Sequence, residues 1–318
     1  MIGPPLIQAA VDRDWQVTVL NRQSPPPAGL GAVRHLAGDR GEPDTLHQLA
    51  ELEPDVVVDL SCYEPEHVDL ALQALVGRTA RYVMMSSAAV YTRGDTLPLT
   101  ESHPLGGDPL WGTYGSKKLE NERIVERYSD RFAISILRAP YIVGHPDFMN
   151  RLQFVADRIA ADSVVHVSDT GRSPIQLVSP VDAAHALLHL CDIAPSGPEG
   201  LSAYNLGNAQ FSSLSGLVRL LSAAMGHPEP QIVPVDLMDV GLSNAPFSWT
   251  DMVFPFADAP YVLDDSHLRA TGFLPTFDLE VLLADFVHRY PAAQRAVTPS
   301  RYPAELQAMS FQPTYLGA

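Results

Sequence analysis

The chain has 318 residues, of which 46% are hydrophobic and 18% charged, a composition typical of a globular protein with one large or two small domains. Its formal net charge of −16 argues against a nucleic-acid partner, because phosphate groups would be repelled, and no apolar run is long enough to span a membrane. The two cysteines show no disulfide or zinc spacing and no signal peptide is recognisable, so we predict a cytoplasmic location.

The first elements are typical of a dinucleotide-binding unit that lacks its beginning. A helix is predicted over residues 6–13, followed by strands over 15–20 and 33–36. Such a unit normally runs strand, glycine-rich turn, helix, strand, and here the first strand and most of the turn are missing. Because that strand normally lies inside the sheet, we expect that the natural start lies upstream of Met1, or that another segment or chain fills the gap.

The middle of the chain alternates predicted helices and strands, which favours a parallel sheet covered by helices. The helices are predicted over 43–52 and 65–76, and the strands over 55–60, 81–85 and 132–137. Ligands bind at the carboxyl ends of strands in such sheets. Leu60, Ser61 and Cys62, followed by Tyr63, should therefore line a cofactor crevice, although Cys62 also fits a small packed thiol.

The segment from residue 81 to residue 123 holds the candidate catalytic residues. Its strand ends in Ser86-Ser87, and a helix predicted to begin near Thr113, as N-cap, carries Tyr114 and Lys118 on one face. A phenol beside an ammonium can act as an acid/base, since a neighbouring cation favours the phenolate. A hydroxyl at the end of the strand can hold the reacting oxygen. The alternative is an ordinary amphipathic helix with an unrelated tyrosine and lysine.

The run SSAAVY followed by YGSKK resembles the extended short-chain dehydrogenase/reductases, in the NAD-dependent epimerase/dehydratase group. The resemblance covers roughly residues 1 to 290. It implies an α/β fold, a doubly wound parallel sheet of the Rossmann type with a smaller C-terminal substrate lobe. It also implies that Ser87 donates a hydrogen bond to the substrate oxygen, that Tyr114 is the acid/base, and that Lys118 activates Tyr114 and holds the nicotinamide ribose.

The resemblance further implies contacts with a nicotinamide dinucleotide. It places Gly3 at the last glycine of the phosphate-binding turn and Asp39 at the adenine amino group. Pro140 and Tyr141, which follow the strand predicted over 132–137, come near the nicotinamide ring.

The residues after the second strand bear on the choice between NAD and NADP. An acid there bonds the ribose hydroxyls, whereas an arginine accommodates a 2′-phosphate. Asn21-Arg22 stand at this place without an acid, which favours NADP over NAD. The alternative is that Arg22 is an ordinary solvated arginine.

The second half of the chain is expected to complete the sheet and to form the substrate lobe. We predict that residues 1–144 and 173–209 form the dinucleotide-binding domain, 145–172 and 210–290 the substrate lobe, and 291–318 a tail. The predicted elements here are strands over 174–178, 203–208 and 231–235, helices over 212–226 and 279–290, and a loop-rich segment over 237–256. His185 and His189, one turn after Asp182, have a spacing that metals can use, but no glutamate accompanies them and we predict no metal site.

The predicted function is hydride transfer with the nicotinamide, on a sugar with or without a nucleotide attached, or on another small hydroxy or carbonyl metabolite. Reduction and epimerisation stay open. Ala88-Ala89 stand where dehydratases of this group place Asp-Glu, which argues against dehydration. The alternative is a relative that kept the fold without turnover and serves as a binding or structural protein. The expected partners are a small-molecule substrate and, where the chain is oligomeric, a second copy in a homodimer.

Overall fold

The computed structural model describes residues 1–22, 33–94, 96–144, 147, 149–197, 200–236, 254–257 and 259–290. The tail 291–318 and residues 237–253 of the predicted loop-rich segment lie outside the described residues. No described helix is both long enough and apolar enough to cross a bilayer.

Helices and strands alternate through the first half of the described chain. The helices are α1 (Gly3–Val11), α2 (Pro43–Ala50), α3 (Pro65–Leu75), α4 (Thr113–Glu126), α5 (Arg151–Ala160), α6 (Pro180–Asp192), α7 (Leu214–Ala224), α8 (Ser266–Ala270) and α9 (Leu279–Arg289). The strands are β1 (Thr18–Asn21), β2 (Arg34–Ala37), β3 (Val56–Asp59), β4 (Arg81–Met85), β5 (Ala133–Arg138), β6 (Tyr141–Ile142), β7 (Val165–Ser168), β8 (Pro174–Ile175), β9 (Leu177–Val178), β10 (Leu201–Asn205), β11 (Ser212–Ser213) and β12 (Ile232–Val235).

The centre of the molecule is a parallel sheet in the order β10-β5-β4-β3. Side chains alternate between its two faces, as the pleat of a strand requires. Tyr82 and Met84 of β4 pack with apolar residues of α3 and α4, whereas Val83 and Met85 pack with those of α1 and α6. A parallel sheet with helices on both faces is the α/β, Rossmann-type architecture, so the predicted fold class is confirmed.

The sheet is interrupted between β1 and β3. β1 and β2 form a separate parallel pair, and no described strand pairs with the other edge of β1 or with the outer edge of β3. Val56, Val57 and Val58 of β3 are only half-buried, while Tyr82 to Met85 of the neighbouring β4 are buried. In the strand order of a dinucleotide-binding fold, β1 and β3 are the two neighbours of the first strand. These two edges of β1 and β3 therefore flank the position that the first strand takes in such a fold.

The second half of the chain packs short strand pairs against α5, α7 and α9. β7 pairs with β12, β6 with β9, and β8 with β11. The strand predicted over 174–178 is split in two at Gln176, because its backbone N–H donates to the Tyr261 carbonyl and its side chain bonds the Asn208 and Leu263 backbones. β8 and β9 therefore pair with different partners.

A buried ion pair fixes the carboxyl end of β3. The two terminal nitrogens of Arg40 each donate a 2.6 Å hydrogen bond to the Asp59 carboxylate, which also accepts from the Tyr82 hydroxyl and the Ser61 N–H. Burial raises the pKa of the Asp59 carboxyl, but the Arg40 charge and these hydrogen bonds lower it by more. The resulting pKa is about 2.

This carboxyl makes stability depend on pH. Its folded-state pKa lies below the ordinary value of 3.8, so ionised Asp59 stabilises the fold above that pH, and the contribution is lost as the pH falls towards 2. We expect the difference in unfolding free energy between the wild type and Asp59→Asn, measured by urea denaturation, to be largest near neutral pH and to narrow below about pH 4. The control Asp192→Asn removes a half-exposed partner of Arg13 and should give a small difference at every pH. If the difference in unfolding free energy between the wild type and Asp59→Asn stayed constant down to about pH 2.5, the lowered pKa of Asp59 could not be the cause of the pH dependence.

Candidate active site

A cavity of ≈ 300 Å³ opens where β3, β4 and β5 end. The sheet topology predicts a ligand site at this edge, since the carboxyl ends of the parallel strands meet there. The lining residues are Met1, Ile2, Gly3, Leu60, Tyr63, Met85, Ser86, Ser87, Ala88, Ala89, Trp111, Tyr114, Lys118, Ala139, Pro140, Tyr141, Ile142, Arg151 and Tyr261.

Ser87 lies on the cavity wall directly after β4. The backbone on either side of it continues along the end of β5, because the Ser86 N–H donates to the Leu137 carbonyl at 2.7 Å and the Ala88 N–H to the Ala139 carbonyl at 2.8 Å. The Ser87 hydroxyl accepts a hydrogen bond from the Ala89 N–H at 3.2 Å and caps a short 3₁₀ helix over Ala88–Val90. The hydroxyl is thus held at a fixed place at the strand end.

Helix α4 brings Tyr114 and Lys118 to the same cavity. Thr113 is the first helical residue rather than the N-cap that the sequence predicts; the cap is Gly112, whose φ of 55° is accessible to glycine without strain. At Gly115 an added Cβ would lie 2.6 Å from the Ala89 carbonyl oxygen, so only glycine permits this close approach. The helix therefore packs against the segment that follows Ser87.

The Lys118 ammonium is buried between backbone and aromatic rings. It donates to the Met85 carbonyl at 2.9 Å and lies 6.0 Å from the centroid of the Tyr114 ring and 5.0 Å from that of Tyr63. Burial lowers the pKa of Lys118, but charge interactions with Tyr114, Cys62, Tyr63 and Asp59 together raise it by more, and the net shift is upward. Lys118 is therefore a permanent cation at neutral pH.

A buried ion pair supports the strand ends beneath Ser87. Arg138, at the end of β5, donates to the two Glu122 oxygens at 3.1 and 2.6 Å. The Ser86 hydroxyl donates to the same carboxylate, and Arg138 also donates to the Tyr91 hydroxyl at 3.1 Å. The network ties α4 to β4 and β5 and so fixes the two elements that carry Ser87 and Tyr114.

The opposite wall is aromatic. The Trp111 indole N–H donates to the Tyr261 hydroxyl at 2.7 Å, which in turn donates to the buried Asp108 carboxylate. Tyr141 packs edge-to-face on Trp111, with ring centroids 5.8 Å apart, and burial raises its pKa to about 12. Tyr141 is therefore a neutral residue of the wall at neutral pH.

Four of the residues predicted to bind the cofactor line this cavity, and two others, Ser61 and Cys62, do not. Gly3, Leu60, Pro140 and Tyr141 are on its surface. Ser61 and Cys62 are directed elsewhere: the Ser61 hydroxyl accepts from Arg40 at 3.2 Å, and the Cys62 thiol is fully buried, with a pKa raised by that burial.

The residues predicted to select and hold the adenosine end form a group outside the cavity lining. Asn21 ends β1, and its side-chain oxygen lies 3.1 Å from the His35 ring. Arg22, with a largely exposed side chain, lies 3.7 Å from the Asp39 carboxylate. Since β1 and β2 are neighbouring parallel strands, their ends place Arg22 and Asp39 side by side.

Two histidines considered for metal binding lie in a separate hollow of ≈ 380 Å³ between α1 and α6. Of these, His189 lies 2.8 Å from the Thr271 hydroxyl, while Asp182 accepts from the Thr276 and Phe277 N–H groups. No cluster of three or more histidine, cysteine or acidic side chains in the described parts of the chain is arranged to hold a metal ion.

Comparison with known proteins decides the family. The model of the "NAD dependent epimerase/dehydratase family" matches residues 1–207. The chain belongs to this epimerase/dehydratase family. Among solved structures, it superposes on UDP-glucose 4-epimerase of Thermotoga maritima with a TM-score of 0.73 at 16% identity, covering 91% of this chain and 95% of that one. The WbmH enzyme of Bordetella bronchiseptica, in complex with NAD⁺, gives 0.69 at 19% identity, covering 91% and 94%.

Curated relatives of this epimerase/dehydratase family member have diverse names. The chloroplast stem-loop binding protein of 41 kDa b of Arabidopsis thaliana is 28% identical over 301 residues, which is 89% of this chain and 75% of that protein. The 2′-dehydrokanamycin reductase of Streptomyces kanamyceticus is 28% identical over 218 residues, 61% of this chain and 60% of the reductase.

The described residues fit one end of the dinucleotide that the family name implies. The nicotinamide end would find Tyr114 and Lys118 beside the apolar Pro140, and an added Cβ at Gly3 would meet no atom within 4 Å, so space is open at the start of α1. The phosphate end is poorer in donors: Pro4 and Pro5 occupy the first turn of α1 and have no N–H to offer.

Sequence reasoning missed three residues of the cavity wall, Trp111, Arg151 and Tyr261. Trp111 lies three residues before Tyr114, and this closeness was the available signal. Arg151 and Tyr261 come from distant parts of the chain, and no spacing in the sequence links them to Ser87.

Proposed function

We propose that this epimerase/dehydratase family member is an NAD(P)-dependent oxidoreductase or epimerase that acts on a sugar or a similar small hydroxy or carbonyl metabolite. The observation that carries the proposal is that Ser87, Tyr114 and Lys118, from a strand end and a neighbouring helix, line one cavity at the carboxyl edge of the sheet. Residues 1–144 and 173–209 would hold the cofactor, and 145–172 and 210–290 would cover the substrate.

Each of the three residues has a distinct task. The Ser87 hydroxyl donates a hydrogen bond to the reacting oxygen of the substrate and fixes its position. The Tyr114 hydroxyl gives a proton to that oxygen or takes one from it. Lys118, buried and cationic, stabilises the phenolate form of Tyr114 during the transfer. A bound nicotinamide would supply or accept the hydride.

The relatives support a sugar as substrate and leave two reactions open. Their names include a reductase of dehydrokanamycin and a dTDP-L-rhamnose 4-epimerase from Burkholderia thailandensis. Ala88 and Ala89, which follow Ser87 on the cavity wall, provide no acid or base for dehydration. Reduction and epimerisation are thus the favoured reactions.

Arg22 supports NADP as the preferred cofactor. We expect NADPH to bind more tightly than NADH in a fluorescence titration, and Arg22→Ala to weaken NADPH about 10-fold while changing NADH less than about 2-fold, since a charged hydrogen bond to the 2′-phosphate would be lost. Arg34→Ala, at the amino end of β2, is the matched control and should change neither. Equal binding of both cofactors by the wild type would show that Arg22 is a solvated arginine.

The same titration tests the proposal against its alternative, a binding or structural protein without turnover. One relative is named as a stem-loop binding protein, but the net charge of −16 works against RNA phosphates here. Failure of the full-length protein to bind either NADPH or NADH would favour the alternative.

A further inference from the structure

Two tyrosine rings flank the Lys118 ammonium, and the acid/base pair accounts for only one of them. The centroid of the Tyr63 ring is 5.0 Å from the ammonium, nearer than the 6.0 Å of Tyr114. The centroids of the two rings are 6.4 Å apart, at a tilt of 40°. A cation within about 6 Å of a ring centroid is attracted by the negative face of the ring, so Tyr63 interacts directly with the ammonium.

The backbone on both sides of Tyr63 is tied to the helix that carries Lys118. Before Tyr63, the Cys62 carbonyl accepts a hydrogen bond from the buried Asn121 side chain of α4 at 2.8 Å. After Tyr63, the Glu64 carboxylate accepts from the Lys117 ammonium of α4 at 2.6 Å. These two contacts fix the segment after β3 on α4 and so hold the Tyr63 ring in its place.

The exposures of the ring and of the ammonium differ sharply. Tyr63 is 41% exposed and Lys118 only 3%, although both line the cavity. The ring therefore meets water with part of its surface and contributes to the cover of the ammonium. Because a charge acts more strongly where water is excluded, this cover increases the effect of Lys118 on a phenolate that forms at Tyr114.

The other ionisable groups around Lys118 keep one charge state near neutral pH. The charged side chains are held in ion pairs: Asp59 with Arg40, Glu64 with Lys117, and Glu122 with Arg138. Burial raises the pKa of the Cys62 thiol, so the thiol stays neutral. Partial burial, with the neighbouring Tyr114 adding to it, also raises the pKa of Tyr63. Tyr63 is therefore a neutral phenol that acts on Lys118 through its ring.

We propose that Tyr63 is a positioning residue of the acid/base pair, whose ring holds the Lys118 ammonium beside Tyr114 and keeps water from it. This inference rests on the proposed function, because it concerns the residues to which that function assigns the proton transfer. It requires the ring of Tyr63 and not its hydroxyl, so Tyr63→Phe and Tyr63→Ala should differ.

The test is a pH titration of the full-length protein, without substrate, by the ultraviolet absorbance of tyrosinate. Subtracting the titration of the same protein with Tyr114→Phe isolates the ionisation of Tyr114. We expect Tyr63→Ala to move the pH at which the Tyr114 phenolate forms upward by about 1 pH unit, a tenfold loss of phenolate at a given pH, because the ammonium becomes hydrated. Tyr63→Phe should move it by less than about 0.3 pH units, since the ring remains.

Two further measurements complete the test. The control Phe211→Ala removes a ring that is 56% exposed and is not among the residues of this cavity, and it should leave the Tyr114 titration unchanged. In steady-state kinetics, the acid limb of the pH–rate profile should move upward with Tyr63→Ala by the same amount as the titration, which a purely structural role of Tyr63 would not produce.

Two results would overturn the inference: an unchanged Tyr114 titration in Tyr63→Ala, and a shift in Tyr63→Phe as large as that in Tyr63→Ala. Circular dichroism melts show whether the variants fold, and Tyr63→Leu, which keeps an apolar side chain without a ring, carries the test if the alanine variant does not. NADPH titration of the same proteins separates the two proposals. NADPH binding with an unchanged Tyr114 titration overturns the role of Tyr63 alone, whereas failure of the wild type to bind NADPH or NADH overturns the proposed function.

Discussion

Tyr114→Phe should lower turnover by about 10²- to 10⁴-fold and leave the NADPH dissociation constant within about 2-fold, because the change removes the ionisable hydroxyl and keeps the ring. The ring lies beside the buried Lys118 ammonium and lines the cavity next to Ser87. The proposed chemistry requires an acid/base group at this position to transfer the proton to or from the substrate oxygen. The measurements are steady-state kinetics with a carbonyl or sugar substrate and fluorescence titration with NADPH.

Two further tyrosine variants are needed in this experiment, one as a control and one as a competing candidate for the acid/base. Tyr128→Phe removes a hydroxyl from the chain just after the same helix, where it bonds Asp69 away from the cavity, and should leave turnover unchanged. Tyr63 is the competing candidate, since its ring lies 5.0 Å from the Lys118 ammonium, nearer than that of Tyr114. If Tyr63→Phe abolishes turnover and Tyr114→Phe does not, the acid/base assignment must move to Tyr63.

Arg138→Met should destabilise the fold by about 3–5 kcal/mol, because it leaves the Glu122 carboxylate buried without its cation. Both side chains are only 5% exposed, so water cannot replace the lost partner. The same change removes the hydrogen bond from Arg138 to the Tyr91 hydroxyl. The measurement is urea denaturation, with the shift in midpoint at constant slope giving the change in unfolding free energy.

The double variant Arg138→Met/Glu122→Leu is the control for this prediction. Removing both charges leaves no uncompensated ion, so it should be more stable than the single variant. Arg127→Met, which breaks an exposed pair with Asp69, should cost less than about 1 kcal/mol. A cost below about 1 kcal/mol for Arg138→Met itself would show that the Glu122 carboxylate is not dependent on the arginine.

Most of the sheet could be predicted from the sequence because its strands are short apolar runs with breakers on both sides. The four strands of the main sheet lie within a few residues of their predicted bounds. The spacing of Tyr114 and Lys118 predicted that both project from one face of the helix, and in the structure both line one cavity. The start of α4 could not be predicted exactly, since Gly112 acts as its cap only by adopting a positive φ. α5 was missed because its apolar face is interrupted by Asp157 and Arg158, which are nonetheless buried.

The far wall of the site depends on tertiary contacts that no local pattern encodes. Tyr261 reaches Asp108 and Trp111 from about 150 residues further along the chain. Arg151, the first residue of α5, lines the cavity with its guanidinium over the Tyr141 ring. Sequence reasoning thus found the residues proposed for proton transfer, which lie on consecutive elements, and missed Trp111, Arg151 and Tyr261, which complete the cavity wall.

Because no described strand covers the outer edges of β1 and β3, the free energy of local opening should differ between parts of the molecule. β4 and β5 are hydrogen-bonded on both sides and buried, so their amide protons should exchange with solvent only through global unfolding. Among the strands that the structure describes, β1 and β2 pair only with each other, and isolated two-stranded ribbons are marginal in water. Arg22 and Asp39 lie at the end of this ribbon, so the adenosine side of the proposed cofactor site belongs to its most easily opened part.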